Sequence, residues 1–426
     1  MTTNKLHVFI DKVFAGTLEQ KTDGGKLSFT YDSKYIISKN HLRLSIALPI
    51  RQEPFDDKVV RAFFSGLLPD NEQLDLLARQ LKASPKNPFA ILSKIGRDCA
   101  GATEILAPSE KPINYGNYSS LLLSEDELYK IINEVYTNPL LAGGKRKIRL
   151  SLAGAQSKFA VFFDEKKHSL PKLTDGTPST HILKPIMPHF PDSVHNEFFC
   201  MRLAKKMNLD VAEVFLKFAK EKPYLLIRRY DRDKNSKGLI TRIHQEDFCQ
   251  ALGLMPEMKY QGIDGGPGIA VCMDLINRNS SQPAKDILKF VNAIIFNYLI
   301  GNSDAHGKNF SFLYKKNLVR LAPLYDLVCT ATNKQLDQKM AMKIGRVSDP
   351  SYLLLRNWHS LFSDNQSAKS LLNKTLKDSA ATLPGTAYLL KEDLEKHGII
   401  SPIFDKIVDV IIKRSAKILG YFRDGG

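Results

Sequence analysis

The segment GNSDAHGKNF, Gly301 to Phe310, packs Asn302, Asp304, His306, Lys308 and Asn309 into ten residues. It follows the apolar run VNAIIFNYLI with no spacer. Asp304 and Asn309 stand five positions apart. A carboxylate can accept the proton of an attacking hydroxyl, and an amide oxygen five residues on can ligate a metal. Catalytic loops for phosphoryl transfer use this spacing. By spacing alone the pair serves equally to cap a helix or turn, the commoner use of such residues. Seventeen residues after Asn309, Asp326 is the one carboxylate in the apolar, strand-like run LAPLYDLV. An acid among Leu324, Tyr325, Leu327 and Val328 costs free energy unless it is paired or binds a metal. Asn309 and Asp326 are therefore candidate hard-oxygen ligands for Mg2+.

Two further segments carry chemistry. SLAGAQSKF, Ser151 to Phe159, lacks the G-x-x-x-x-G-K-[ST] pattern. Its Ala153, Gly154 and Ala155, between two strand-like runs, still let backbone N–H groups approach a phosphate closely. Lys145, Arg146, Lys147 and Arg149 precede it. A plain hairpin turn with a solvated basic flank fits the same residues. In THILKP, Ile182 and Lys184 share one strand face. A lysine there can meet nucleotide phosphates, with helical Glu197 thirteen residues on as its ion-pair partner. A surface lysine halted by Pro185 is the ordinary alternative. The order along the chain is small-residue loop, strand lysine, helix glutamate, the strand LLIRRY, a helix, D-x-x-x-x-N, then Asp. A phosphoryl-transfer enzyme requires that order.

These residues need elements to position them. KLHVFIDKVFAGTL reads as two short strands around a turn at Asp11 and Lys12, and KLSFTYD and HLRLSIALP continue the strand-like pattern. From Val60 the period becomes helical in VVRAFFSGLLPDNEQLDLLARQL, interrupted at Pro69. APSEKPINYGNYSS reads as a linker. KIRLSL, KFAVFF and THILKP are strand-like, VHNEFFCMRLAKKMN is helical, and PYLLIRRY is again a strand. After Asp231 the chain reads as mainly helical: HQEDFCQALGL, AKDILKFVNAIIFNYLIG, and segments ending in FDKIVDVIIKRSAKILGYF. The fold class expected is α+β, a strand-rich front half followed by a helical back half. A cleft between such lobes is a natural ligand site.

Length and composition bound the partners. The 426 residues suffice for two or three domains and a substantial core. A formal net charge of +16 fits a polyanionic partner such as nucleic acid or nucleotide, and equally a soluble protein with a basic surface. Cys99, Cys200, Cys249, Cys272 and Cys329 are scattered, without a C-x-x-C pair. A disulfide framework or structural zinc is not expected, and a reducing cytoplasm is. MTTNKLHVFIDK lacks a basic stretch followed by an apolar core, and no run reaches the ~20 apolar residues of a membrane span. Neither a signal peptide nor a membrane partner is expected.

Taken together, FFSGLLPDNEQ, IGRDCAGA, SLAGAQSKF, HILKP, HNEFFCMRLA, HQEDFCQALG, NSDAHGKNFSF and LAPLYDLV resemble the HipA family of bacterial serine/threonine kinases, nearly end to end. The resemblance implies a two-lobed, protein-kinase-like α+β fold. An added strand-rich N-terminal subdomain would span 1–107, a kinase N-lobe with phosphate loop and hinge 108–232, and an all-helical C-terminal lobe with catalytic loop and metal site 233–426. It implies an ATP- and Mg2+-dependent protein kinase acting as a growth-arresting toxin. Implied partners are a HipB-like DNA-binding antitoxin, operator DNA through that complex, and a protein substrate, with glutamyl-tRNA synthetase and its tRNA as the family's example.

Carried over by position, Leu152, Ala153, Gly154, Ala155, Gln156, Ser157 and Lys158 would form the phosphate-binding loop, and Lys184 would contact the nucleotide. Arg228, Arg229 and Tyr230 would form the hinge that meets adenine. Asp304 would be the catalytic base, His306, Gly307 and Lys308 would line the nucleotide site, and Asn309 and Asp326 would hold Mg2+ within it. Ser151 falls at the family's autophosphorylation position, where modification would inhibit. Relative to eukaryotic kinases, His306 follows the base instead of preceding it, YDL stands where D-F-G would, and A-P-E is absent. Two other readings stay open: an antitoxin-bound co-repressor without essential kinase activity, and a kinase for a lipid or small molecule.

Overall fold

The computed structural model describes residues 5–21, 25–38, 42–112, 123–134, 157–164, 169–170, 179–236, 239–315, 318–362 and 365–423. They pack as two compact units. The first comprises Met1–His189, Phe215–Glu257 and Ser311–Ala322, and the second Phe190–Val214, Met258–Phe310 and Pro323–Gly426.

In the first unit, Asp11 and Lys12 take φ of 46° and 69°. Two consecutive left-handed residues make the tight turn that matches strand twist, so Lys5–Ile10 and Val13–Gln20 pair antiparallel. Leu27–Tyr31 adds at one edge and Thr103–Leu106 at the other. The inward residues Leu6, Val8, Leu18 and Phe29 share a core with Phe63, Phe64, Leu77 and Leu92. These last four come from the helices Asp57–Ser65, Asn71–Gln80 and Pro88–Ile95. Pro69 falls between the first two helices, as the interrupted period requires.

HLRLSIALP is a correction: its described residues form no strand. Leu44 and Leu48 are buried, but side chains satisfy the backbone. The Tyr31 hydroxyl accepts from Leu44 N–H at 2.8 Å and donates to Leu48 O at 2.6 Å, and Glu246 accepts from Ile46 N–H at 2.9 Å. Buried backbone groups with such partners need no ladder.

A second sheet has the order Phe159–Val161, His181–Pro185, Lys222–Arg228, Val214–Ala219. It buries Phe159, Leu183, Tyr224 and Leu226. HQEDFCQALGL also departs from expectation. His244–Asp247 is a strand paired with Ser311–Lys315, and only Phe248–Ala251 is helical. A capping box divides them: Asp247 accepts from Gln250 N–H at 2.8 Å, and the Gln250 side chain accepts from Asp247 N–H at 3.0 Å. The inward residues of this strand, His244 and Glu246, are polar, so alternation of hydropathy does not reveal it. With the pair Arg232–Lys234 and Ile240–Arg242, strands continue past Asp231, where helices were expected.

The second unit is largely helical: Ser193–Lys206, Ile269–Asn279, Pro283–Ile300, Gln366–Lys396 and Ile403–Gly420. Leu376, Leu383 and Leu390, and Ile407, Ile411 and Ile418, are buried at helical spacing on the last two. LAPLYDLV is not a strand. Leu324 makes an isolated parallel bridge to Val211, and Asp326 takes φ 59°, which ends extended backbone. The mixed α+β class stands. The five cysteines are buried free thiols, and no described helix is long and apolar enough to cross a membrane.

Candidate active site

The polar loop begins where it does because of one glycine. Pro283–Ile300 buries Phe290, Val291, Ile294, Ile295 and Tyr298 and ends at Gly301, whose φ is 76°. A Cβ on Gly301 would lie 2.8 Å from side-chain atoms of both Ala331 and Val410. Only glycine fits this left-handed stop, and it turns the chain from buried helix to loop in a single residue.

The loop is then fastened by amides. Asn302 donates its N–H to Asn297 O and its side-chain amide to Asn297 Oδ1, both at 2.8 Å, and its own Oδ1 accepts from Asp304 N–H at 3.0 Å. Ser303 N–H donates to Thr330 Oγ1 at 2.8 Å, and its hydroxyl donates to Gln338 O at 3.0 Å. From Gly301 to Phe310 every residue is buried except Asp304 and Ala305. A carboxylate is thus presented from a fixed frame.

His306 N–H reaches Asp304 O at 2.8 Å and Asn309 Oδ1 at 3.2 Å. Asn309 therefore does cap the turn Gly307–Asn309, as its residue type alone allows. Its side chain also donates to Asp326 Oδ2 at 3.2 Å, and the Tyr325 hydroxyl donates to Lys308 O at 2.7 Å. Asp304, His306, Lys308, Asn309 and Asp326 are thus gathered within the second unit. Asp304 Oδ1 accepts from the Tyr260 hydroxyl at 2.6 Å. Tyr260 lies in MPEMKYQGIDGG, a stretch without a recognisable motif, and sequence reasoning misses it.

The first unit holds the other candidates. Ser151, Leu152, Ala153, Gly154, Ala155 and Gln156 lie outside the described residues, as do Lys145 to Arg149. Ser157 is buried, and its hydroxyl donates to Gln73 Oε1 at 2.7 Å. Lys158 immediately precedes the strand Phe159–Val161. Lys184 is only 4% exposed within the strand His181–Pro185, so it is not the surface lysine that Pro185 suggested. Glu197, in the second unit, is 2% exposed on Ser193–Lys206.

At the proposed hinge, Arg228 is exposed and Tyr230 half-buried, while Arg229 turns inward. Arg229 donates to Asp231 at 2.9 and 2.7 Å and to Ser179 Oγ at 2.8 Å. Its N–H reaches Thr180 O at 3.0 Å. Asp98 accepts from Ser179, Arg232 and Arg242 at 2.7, 3.0 and 3.3 Å. Cys99 O accepts from Arg229, Arg232 and Arg242. Burial alone would raise the Asp231 carboxyl, but the Arg229 and Arg232 guanidiniums hold it well below the usual carboxylate range. Burial, then the Asp231 charge, push the Tyr230 phenol far up. IGRDCAGA thus supplies the acceptors for arginines that flank Tyr230, a role its sequence does not announce.

Chemically, the second unit offers a half-exposed proton acceptor close in sequence to a paired amide and carboxylate. Comparison with known proteins points the same way. A family model for the HipA N-terminal domain matches residues 6–106, and one for the HipA-like C-terminal domain matches residues 150–384. The putative kinase Y4mE of Sinorhizobium fredii is 44% identical over 349 residues, 81% of this chain and 82% of that protein. The serine/threonine-protein kinase toxin HipA of Shewanella oneidensis is 31% identical over 341 residues, 76% of each chain. A chain of the solved Shewanella oneidensis complex of HipA, HipB and operator DNA superposes with a TM-score of 0.80. That match has 25% identity and covers 98% of this chain and 96% of the other.

Proposed function

The chain belongs to the HipA family of serine/threonine kinases, and from that premise we propose that it transfers the γ-phosphoryl group of ATP to a protein hydroxyl and so arrests growth. One observation carries the reading: the Asn309 side chain is held against Asp326 at 3.2 Å, five residues from a carboxylate left half-exposed. Asp326 would offer a hard cation a carboxylate oxygen, and Asn309 its amide oxygen, the atom that also accepts from His306 N–H. Held there, Mg2+ would supply positive charge against the phosphates.

Asp304 orients the acceptor hydroxyl and takes its proton. Lys184 holds nucleotide phosphates, and backbone N–H groups from Leu152 to Lys158 cradle them. Backbone groups at Arg228, Arg229 and Tyr230 meet adenine, and His306, Gly307 and Lys308 line the site. The work is positioning and electrostatics. We assign residues 1–107 to the family's N-terminal subdomain, 108–232 to the nucleotide-binding lobe, and 233–426 to the catalytic lobe. Ser151 is an inhibitory autophosphorylation site.

We assign the protein to the cytoplasm, with a HipB-like antitoxin and, through it, operator DNA as partners. Glutamyl-tRNA synthetase with its tRNA is the proposed substrate, and the net charge of +16 suits an RNA-bearing target. The similarity to a chain crystallised with HipB and operator DNA also favours a co-repressor role beside the kinase. The test is transfer of labelled γ-phosphate from ATP in a cell extract, with mass spectrometry of the acceptor. A labelled synthetase supports the full reading, and another labelled protein supports the kinase alone. Label only in lipid or small molecules makes it a different kinase. No label, with antitoxin–operator binding intact, leaves the co-repressor.

A further inference from the structure

We infer that Tyr260 is a positioning residue for Asp304, and that the segment around it splints the catalytic loop. This rests on the reading of Asp304 as the base. Three successive residues act together. Lys259 O accepts from Gly307 N–H at 3.3 Å, and the Tyr260 hydroxyl donates to Asp304 Oδ1 at 2.6 Å. Gln261 N–H donates to Ala341 O at 3.1 Å, and Ala341 N–H in turn donates to Ser303 O at 2.9 Å. The loop is therefore held at Ser303, Asp304 and Gly307, on both sides of the carboxylate and at the carboxylate itself.

The phenol is itself fixed. Its backbone O accepts from Asp264 N–H and Gly266 N–H at 3.1 and 3.0 Å, which closes the turn. A Cβ on Gly266 would stand 2.4 Å from Met258 O, so the turn admits no side chain there. The ring meets His306 edge-on, with centroids 5.1 Å apart and planes at 84°. The Lys259 ammonium lies 5.5 Å from the ring centre. Ring packing thus places the hydroxyl, and the hydroxyl places one carboxylate oxygen.

That matters for the chemistry. A carboxylate rotates about its last bond, and its two oxygens are equivalent until one is tied. A charge-assisted bond to Oδ1 restrains the carboxylate plane and so sets how the carboxylate is aimed at an acceptor hydroxyl. A packing role and a hydrogen-bonding role predict different things for Phe, which keeps the ring and loses the hydroxyl.

The experiment compares Tyr260→Phe, Tyr260→Ala and Asp304→Asn in the full chain, using labelled ATP and extract protein. Tyr260→Phe should lower the saturating transfer rate roughly ten- to hundredfold, the range expected for losing a bond to a charged group. The ATP concentration for half-maximal rate and the thermal midpoint should stay near wild type. Tyr260→Ala should be at least as slow, and Tyr260→Phe should cost nothing further in the Asp304→Asn background. A wild-type rate for Tyr260→Phe, with only Ala impaired, means packing alone and overturns the inference. If Asp304→Asn is inert while Tyr260→Phe is fully active, only the Tyr260 inference falls. If Asp304→Asn transfers phosphate normally, the base assignment falls and this inference with it.

Discussion

Asn309 donates its amide to Asp326 across 3.2 Å, and Asp326 meets it from left-handed backbone at φ 59°. That conformation costs an ordinary L-residue about 1–2 kcal/mol, and Asp and Asn tolerate it best. Here it has a geometric effect. It ends the extended run after Leu324 and turns the carboxylate toward Asn309 instead of leaving it among Leu327 and its neighbours. The Tyr325–Lys308 bond fixes the same junction one residue earlier. An acid that looks misplaced in LAPLYDLV is the acid that the backbone has been bent to present.

Asp326→Asn keeps the shape and removes the charge. It should weaken Mg2+-dependent ATP binding by about ten- to hundredfold, the scale of one lost charged contact. Affinity measured without Mg2+ should change little. Calorimetry in both conditions checks it, and unchanged affinity with Mg2+ removes Asp326 from the site.

Asp304→Asn should bind ATP normally and lose transfer by about a hundredfold or more, the usual contribution of a general base. Growth arrest should disappear with it. Autophosphorylation close to the wild-type rate would end the assignment.

A phosphate on Ser151 adds ~−1.5 to −2 charge beside Lys145, Arg146, Lys147 and Arg149. Pairing with those cations, or repulsion of the ATP phosphates, should draw Leu152 to Lys158 away from nucleotide. Homogeneous phospho-Ser151 protein should therefore bind ATP more weakly and transfer more slowly, and Ser151→Ala should escape the shut-off. Equal affinity and rate for the two forms would refute this.

The local parts of the site are legible in the sequence, and the long-range parts are not. Gly301 after an apolar helix, the D-x-x-x-x-N spacing and the isolated Asp326 are short-range patterns, and each marks a place where the structure does something specific. Tyr260 stands 44 residues from its partner Asp304, and Asp98 stands more than 130 from Arg232. No periodicity links them. Polar residues that face inward, as on His244–Asp247, also defeat a reading that equates inward with apolar. HLRLSIALP shows the converse error, where apolar alternation is satisfied by side-chain bonds instead of a ladder.

Asp98 is held by two buried guanidiniums and a serine hydroxyl, and the Cys99 carbonyl shares the same arginines. Asp98→Ala should remove the carboxylate that Arg232 and Arg242 share, leaving them Asp231 and Glu104, and destabilise the fold by about 3–5 kcal/mol. Asp98→Asn, which keeps acceptor oxygen, should lose less. Urea midpoints of both variants test this, and a near-neutral Asp98→Ala would show that the remaining acids carry the cluster. Asp231 adds a pH signature. Its folded pKa is depressed, so its stabilisation is complete above the ordinary carboxylate range and is lost as pH falls from that range toward the folded value.

Glu246 has the opposite sign. It is buried, accepts from Ser45 Oγ at 2.5 Å, from Ile46 N–H at 2.9 Å and from the Tyr314 hydroxyl, and has the Arg43 charge nearby. Burial outweighs these bonds and pushes its carboxyl up from 4.5 to about 7. Between those values the folded state holds a proton that the unfolded chain has released. Stability should therefore fall as pH rises through this window, by on the order of 3 kcal/mol, and level off above it. Tyr31 and Tyr314, both with phenols raised by burial, face the same carboxylate but titrate far above the window. They do not blur it. Glu246→Gln keeps an acceptor for Ile46 and removes the titration, so its urea midpoint should change less between pH 5 and 8 than that of the wild type. Parallel curves for the two proteins would mean that the three donors hold Glu246 ionised in the folded state. In that case the junction of HLRLSIALP with the strand His244–Asp247 is an ionic contact instead of a neutral one.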